Sequence, residues 1–321
     1  MQVHEVPYIR PHIMGLAINI YSEIFDKLLT ALTSQIKDTM IFVYHSVNNY
    51  QPHIYPYNVT SIAAFSRQVQ VIRRNRKVVS LDTLIDRWGE LHNASCLTFD
   101  DGYLDFYENV YPIISRHELP CTLFPVTMTL DTGEPKWDDK VSWIVNSCGK
   151  RYIKIRLGGL DLSYDTSSKQ KRQYATLAIV DNLLRLGEHN RSRLIKELEQ
   201  DYGEEYPEDA TLTWSHLKEF DTRLVSFGAH THTHVNLTRM RIDEARVEVK
   251  KSKKLLERNL KARCRHFAYP YGKGSSYSQE VKNVLREAGF DSALTTILGT
   301  VRKNSDPLEL RRVSVARPDR R

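Results

Sequence analysis

Three short stretches of this chain set metal-ligating and acid–base side chains at the ends of apolar runs. In Cys96-Leu97-Thr98-Phe99-Asp100-Asp101-Gly102 a buried-strand pattern stops at two adjacent carboxylates and a glycine. On an irregular turn two neighbouring side chains need not point alike, so one carboxylate can bind a cation while the other stays free as a base. In Ser226-Phe227-Gly228-Ala229-His230-Thr231-His232-Thr233-His234 the first and last histidines stand four apart. A locally helical turn would bring His230 and His234 to one face and leave His232 pointing away. Two neutral imidazoles and one carboxylate form a three-ligand set with positions open for water, the pattern of catalytic zinc, although other divalent ions accept the same donors. In His266-Phe267-Ala268-Tyr269-Pro270-Tyr271-Gly272 a strand, a proline and a glycine fix a tight exit turn that exposes backbone N–H groups. Taken singly, each stretch has a plainer reading as a strand that closes in a turn; it is the set that points to chemistry.

Strand ends are the places where α/β proteins put such groups, so the elements around them matter. Met40-Ile41-Phe42-Val43-Tyr44-His45 reads as the first buried strand, and Ile62, Phe65, Val69 and Ile72 mark a helix that faces the core. Tyr107 to His117 is expected to be helical, and Cys121 to Val126 is another strand. Helices follow around Val249 and Val284, with strands at His266 to Tyr269 and Ser292 to Thr295. This alternation predicts a parallel sheet, open or closed into a barrel. Residues 146–210 break the rhythm and read as an insertion, with helices expected at Ala175 to Leu186 and Arg191 to Gln200. Residues 1–39 read as an N-terminal helical extension, its stripe Ile13, Leu16, Ile20, Ile24, Leu28 and Leu32 packing on the main domain, residues 40–321. A partner helix or a weak membrane contact is the minor reading of that stripe.

Composition limits the class of protein. With 321 residues, 41% of them hydrophobic, the chain can bury a sizeable core, and no apolar run is long enough to cross a bilayer. The N-terminus lacks the order of a secretory signal, so a cytoplasmic location is expected. The four cysteines form no pairing or thiolate-zinc motif. The net charge of +7 falls in helical segments without interleaved aromatic residues, which speaks against nucleic acid as a partner.

The three stretches, in this order and each at a strand end, resemble the motifs of the polysaccharide deacetylase family, also called the NodB homology domain or carbohydrate esterase family four. Thr98 to Gly102 matches the first motif, His230 to His234 the second and Phe267 to Gly272 the third, and the likeness spans about residues 40 to 315. Trp137 with Asp139, and Trp214, look like secondary family positions, and Leu310-Arg311-Arg312-Val313 resembles the closing strand. The resemblance implies a distorted, TIM-barrel-like (β/α) barrel with fewer than eight strands. It also implies metal-dependent removal of an N-acetyl group from an amino sugar of a polysaccharide or glycan precursor. By motif position Asp101, His230 and His234 would hold a divalent metal, most simply Zn2+, Asp100 would be the general base, and the backbone N–H of Tyr271 would donate to the oxyanion.

Two departures from the family pattern stand out. Ala268 occupies the place where the family commonly has an Arg that orients the base, and the closing segment lacks the usual late His that serves as general acid. His45 and His266 are the substitute acid candidates. The expected location would favour a phosphate-linked precursor as substrate, which a positive chain would suit. The competing expectations are a degenerate carbohydrate-binding protein of the same fold, and a hydrolase of an O-acetyl ester or a non-sugar amide.

Overall fold

A computed structural model describes residues 27–49, 59–203, 205–206 and 210–315. Seven of the apolar runs become parallel strands: β1 (Met40–Tyr44), β2 (Ala94–Asp101), β3 (Cys121–Pro125), β4 (Val225–Phe227), β5 (His266–Ala268), β6 (Ser292–Leu298) and β7 (Leu310–Ser314). Each pairs with the next in chain order, and β7 returns to β1. Between β4 and β5 the contact is a single bridge, Ala229 to Phe267, where Ala229 N–H donates to the His266 carbonyl and Ala268 N–H to the Ala229 carbonyl, both at 2.9 Å. The result is a nearly closed seven-stranded barrel ringed by helices, which is the barrel with fewer than eight strands that the resemblance implies.

Every residue of β1 and β2 is buried, because side chains on both faces of a parallel sheet are covered. Alternation splits them into two cores. Ile41, Cys96, Phe124, Ala268, Leu294 and Leu310 pack together with the Leu81–Asp86 helix. Phe42, Tyr44, Leu97 and Phe99 belong to the larger cluster, with Phe65, Val69 and Ile72 of the Ile62–Asn75 helix, which Ser61 caps. Register carries function here. Tyr44 lies opposite Phe99, so the next residues, His45 and Asp100, leave the two strands at one level.

In the stretch 146–210, the polar, glycine-containing part ahead of the expected helices forms an antiparallel hairpin of Tyr152–Leu157 and Leu160–Asp165. Its turn, Gly158-Gly159, takes φ values of 58° and 83° that suit glycine. Helices follow at Lys169–Leu184 and Glu188–Tyr202, and with Trp137–Ser147 they enclose a separate apolar cluster that includes Ile144, Ile153, Ile179 and Leu194. In the N-terminal extension, Ile13, Leu16, Ile20 and Ile24 lie outside the described residues. Within the helix at 27–35 it is Leu29 and Thr33 that face the barrel, while Leu28 and Leu32 of the predicted stripe are 56% and 42% exposed.

Candidate metal centre

The site lies at the C-terminal ends of the strands and is built from backbone conformations that L-residues seldom adopt. Of the seven non-glycine residues with positive φ among the described residues, Asp101, Thr231, His234 and Tyr271 are at the site. At the end of β2 the chain turns through Asp101 (φ 76°) into Gly102, where a Cβ would come within 2.9 Å of Pro125 Cβ. The histidine stretch is not helical. Left-handed turns at Thr231 and His234, rather than helical spacing, bring His230 and His234 together, and His232 faces away with its Nδ1 3.0 Å from Thr127 Oγ1.

Asp101, His230 and His234 present ligand atoms that all lie within 4.8 Å of one another, and all three residues are buried. His230 Nε2 is 3.4 Å and His234 Nε2 3.3 Å from Asp101 Oδ1. The protons on the imidazoles follow from their other partners. His230 Nδ1 lies 2.7 Å from the Ala268 carbonyl, which can only accept, so Nδ1 carries the hydrogen and Nε2 keeps its lone pair. His234 Nδ1 faces the Asp138 carboxylate at 3.3 Å, with the same consequence. Both oxygens of Asp101 are buried and accept no hydrogen bond. Two lone pairs and an orphaned carboxylate converging in a buried spot fit a divalent cation.

Sequence reasoning missed part of the surroundings. The Trp137–Ser147 helix begins with Asp138 and Asp139 in its first turn. Asp138 orients His234, Asp139 accepts from the Tyr103 hydroxyl at 2.9 Å, and Trp137 Nε1 donates to the His234 carbonyl at 3.0 Å. Lys136, 1% exposed, sets its ammonium 2.9 Å from Asp139, 3.2 Å from Asp138 and 3.6 Å from Asp101. Burial by itself would raise the pKa of Asp101. The charge of Lys136 outweighs it and holds the carboxyl well below its usual range. The Trp-Asp-Asp run was the visible signal, yet it pointed to Asp139 rather than to the His234 partner, Asp138.

Asp100 has a different neighbour. Arg312, from β7, is fully buried and donates Nη1 to Asp100 Oδ1 at 2.8 Å and Nη2 to Oδ2 at 2.6 Å, while its Nε donates to the Thr295 carbonyl at 2.7 Å. The gap left by Ala268 is thus filled from two strands further round the barrel. Burial pushes the Asp100 pKa up, and the charge and hydrogen bonds of Arg312 bring it below the usual carboxylate value. Of the two acid candidates, only His45 is at the site. Burial lowers its pKa, and the charges of Asp101 and Asp100 act on it in the opposite sense. His266 is excluded by position: it begins β5, and its ring nitrogens face Ser292 Oγ at 2.9 Å and Asp82 at 3.2 Å. The Tyr271 ring lies tilted beside that of His234, centroids 5.0 Å apart, and its hydroxyl donates to the His234 carbonyl at 3.3 Å.

The chain is thus a parallel barrel with a His-His-Asp donor set at its C-terminal rim, beside a second, ion-paired carboxylate. The family model for polysaccharide deacetylase matches residues 92–293, and the chain belongs to that family. The fold is similar to that of the Streptococcus pyogenes deacetylase PplD in complex with acetate (18% identity, 87% of this chain and 92% of that one, TM-score 0.58). It is also similar to IcaB from Ammonifex degensii (16%, 87% and 92%, TM-score 0.57) and to the BpsB deacetylase domain from Bordetella bronchiseptica (17%, 86% and 95%, TM-score 0.55). At these identities the likeness is one of fold. A comparison with curated proteins gave no match. Among the described residues no helix is long and apolar enough to cross a membrane.

Proposed function

We propose that this protein is a metal-dependent hydrolase that removes N-acetyl groups from an amino sugar of a polysaccharide or glycan precursor. One observation carries the reading: a buried three-donor cation site stands beside a carboxylate, Asp100, that Arg312 keeps ionised. A divalent ion held by Asp101, His230 and His234, zinc in this proposal, would lower the pKa of a water and polarise the amide carbonyl. Asp100 takes the proton of the attacking water, its two oxygens fixed in direction by the Arg312 fork. We assign the oxyanion contact to the backbone N–H of Tyr271, a left-handed residue whose ring lies beside His234. We assign the proton for the departing amine to His45, which leaves β1 level with Asp100. For the finer substrate we favour a phosphate-linked precursor, on the strength of the net charge of +7.

The test is acetate release by Zn2+-loaded protein from polymeric, nucleotide-linked and lipid-linked N-acetyl sugars, with O-acetyl esters alongside. Asp100→Asn is expected to keep the metal and to lose at least about a hundredfold in rate. Protein that binds one ion and releases no acetate from any of these substrates would make the carbohydrate-binding reading the better one. Release from the esters alone would move the activity to O-deacetylation.

A further inference from the structure

Lys136 is not needed by the reaction just described, and a fully buried ammonium requires a reason. Its Nζ lies within 4 Å of three carboxylates, Asp101, Asp138 and Asp139, which come from two separate elements, β2 and the Trp137–Ser147 helix. The two oxygens of Asp101 are divided: Oδ1 faces the Nε2 atoms of His230 and His234, and Oδ2 faces Lys136. A carboxylate turned to a cation on either side is the bridging ligand of two-metal hydrolases, whose ions stand about 3.5–4 Å apart. Here one of the two cation positions is taken by a side chain of the protein. Asp138 repeats the pattern, with Oδ1 shared between His234 Nδ1 and the Lys136 ammonium.

We propose that Lys136 is a built-in counter-cation standing where a second divalent ion would otherwise bind, and that it limits the centre to one ion. The inference rests on the metal-centre reading above. Lys136 is a positioning residue: the reaction proposed above gives it no contact with the amide or the water, and it leaves Asp101 only Oδ1 to offer on the imidazole side. Without its charge, Asp101, Asp138 and Asp139 would direct uncompensated oxygens into one buried pocket, which is the condition that draws in a divalent ion.

Equilibrium dialysis against Zn2+, and separately Mn2+, followed by elemental analysis, reads the ion count per chain without reference to activity. One ion is expected for the wild type and for Lys136→Arg, and two for Lys136→Met. Lys136→Gln keeps a donor for the carboxylates and stands in should the Met variant fold poorly; it too is expected to take two. Adding Asp139→Asn to either neutral variant removes one carboxylate of the vacated pocket and returns the count to one. A single ion in Lys136→Met and Lys136→Gln, bound as tightly as in the wild type, overturns the role of Lys136 and leaves the metal centre standing. Two ions in the wild type overturn it as well. No ion in the wild type overturns the metal centre itself, and this inference with it.

Discussion

Asp100 and Arg312 form a buried ion pair in which both carboxylate oxygens are engaged, so removing one partner strands the other. Arg312→Met is expected to cost on the order of 3–5 kcal/mol of stability in chemical denaturation. It also takes away the charge that holds the Asp100 pKa down, so the acid limb of the kcat/KM profile should move to higher pH; an unmoved limb would mean that Asp100 is not the base. The pairing was only half legible. Leu310-Arg311-Arg312-Val313 could be recognised as a closing strand, but no pattern along the chain says that its arginine fills the place left by Ala268, because that meeting depends on the closure of the barrel. A second residue, Asp105, was not legible at all. It is buried, accepts a hydrogen bond from Ser46 and leaves Oδ1 without a partner, and burial pushes its pKa up to about 6. A carboxyl raised in the folded state stabilises the fold below its unfolded pKa, and that contribution is lost as pH rises through about 6. Asp105→Asn should therefore lose less stability than the wild type between about pH 4 and 6.5, the difference reaching on the order of 2–3 kcal/mol in urea titrations at pH 7. Parallel curves for the two proteins across that range would refute it.

The histidine turn is held from beneath by a helix. The Ile242–Leu260 helix buries Ala245, Val249, Ser252 and Leu256, and one turn of the same face carries Glu248. The Glu248 carboxylate accepts the backbone N–H of His232 at 2.8 Å, that of Thr233 at 2.9 Å and the Thr233 hydroxyl at 3.0 Å. These three bonds fix a segment that two left-handed residues would otherwise leave free to relax. Glu248→Gln removes acceptor capacity without changing shape, and zinc affinity should fall about tenfold or more in a chelator competition, with a helix content unchanged by circular dichroism. Equal affinity would show that the turn holds itself. The sequence led to the same cluster of three donors here through the wrong element, since a spacing of four suggests a helix while the chain reaches the same convergence by turning at Thr231 and His234. The hairpin was missed for the opposite reason. Its alternation, Ile153 and Ile155 in and Tyr152, Lys154 and Arg156 out, is present in the sequence, but it spans six residues inside a polar stretch. The helix at 27–35 illustrates a third limit: both Leu28 and Leu29 are apolar, and only packing decides which of them faces inward.

Across the whole molecule the barrel has one weak seam, and the candidate metal centre sits on it. β1 and β2 are paired over five residues, from Met40–Ser95 to Tyr44–Phe99, whereas β4 and β5 have three residues each and meet in the single Ala229–Phe267 bridge. His230 follows that bridge directly and crosses the seam to the Ala268 carbonyl on β5, while its Nε2 faces Asp101 of β2 on the far side of β3. An ion held by Asp101, His230 and His234 would therefore tie β2 to the turn after β4, and through His230 to β5. Elements with few backbone bonds open at lower free energy than the rest of a fold, and a ligand that binds only the closed form stabilises that form in proportion to its occupancy. Amide hydrogen exchange should then find the Ala229 and Ala268 N–H groups less protected than those of Phe42 and Val43 in metal-free protein. Saturating zinc should slow exchange at the seam by about a hundredfold, the equivalent of ~2.7 kcal/mol at a ligand concentration of 100 Kd, and leave nearly unchanged the β1–β2 amides, which exchange through local openings in which the ion stays bound. Protection that rises equally on both sides of the barrel would mean that the ion stabilises the fold as a unit and that β4–β5 is not where it opens.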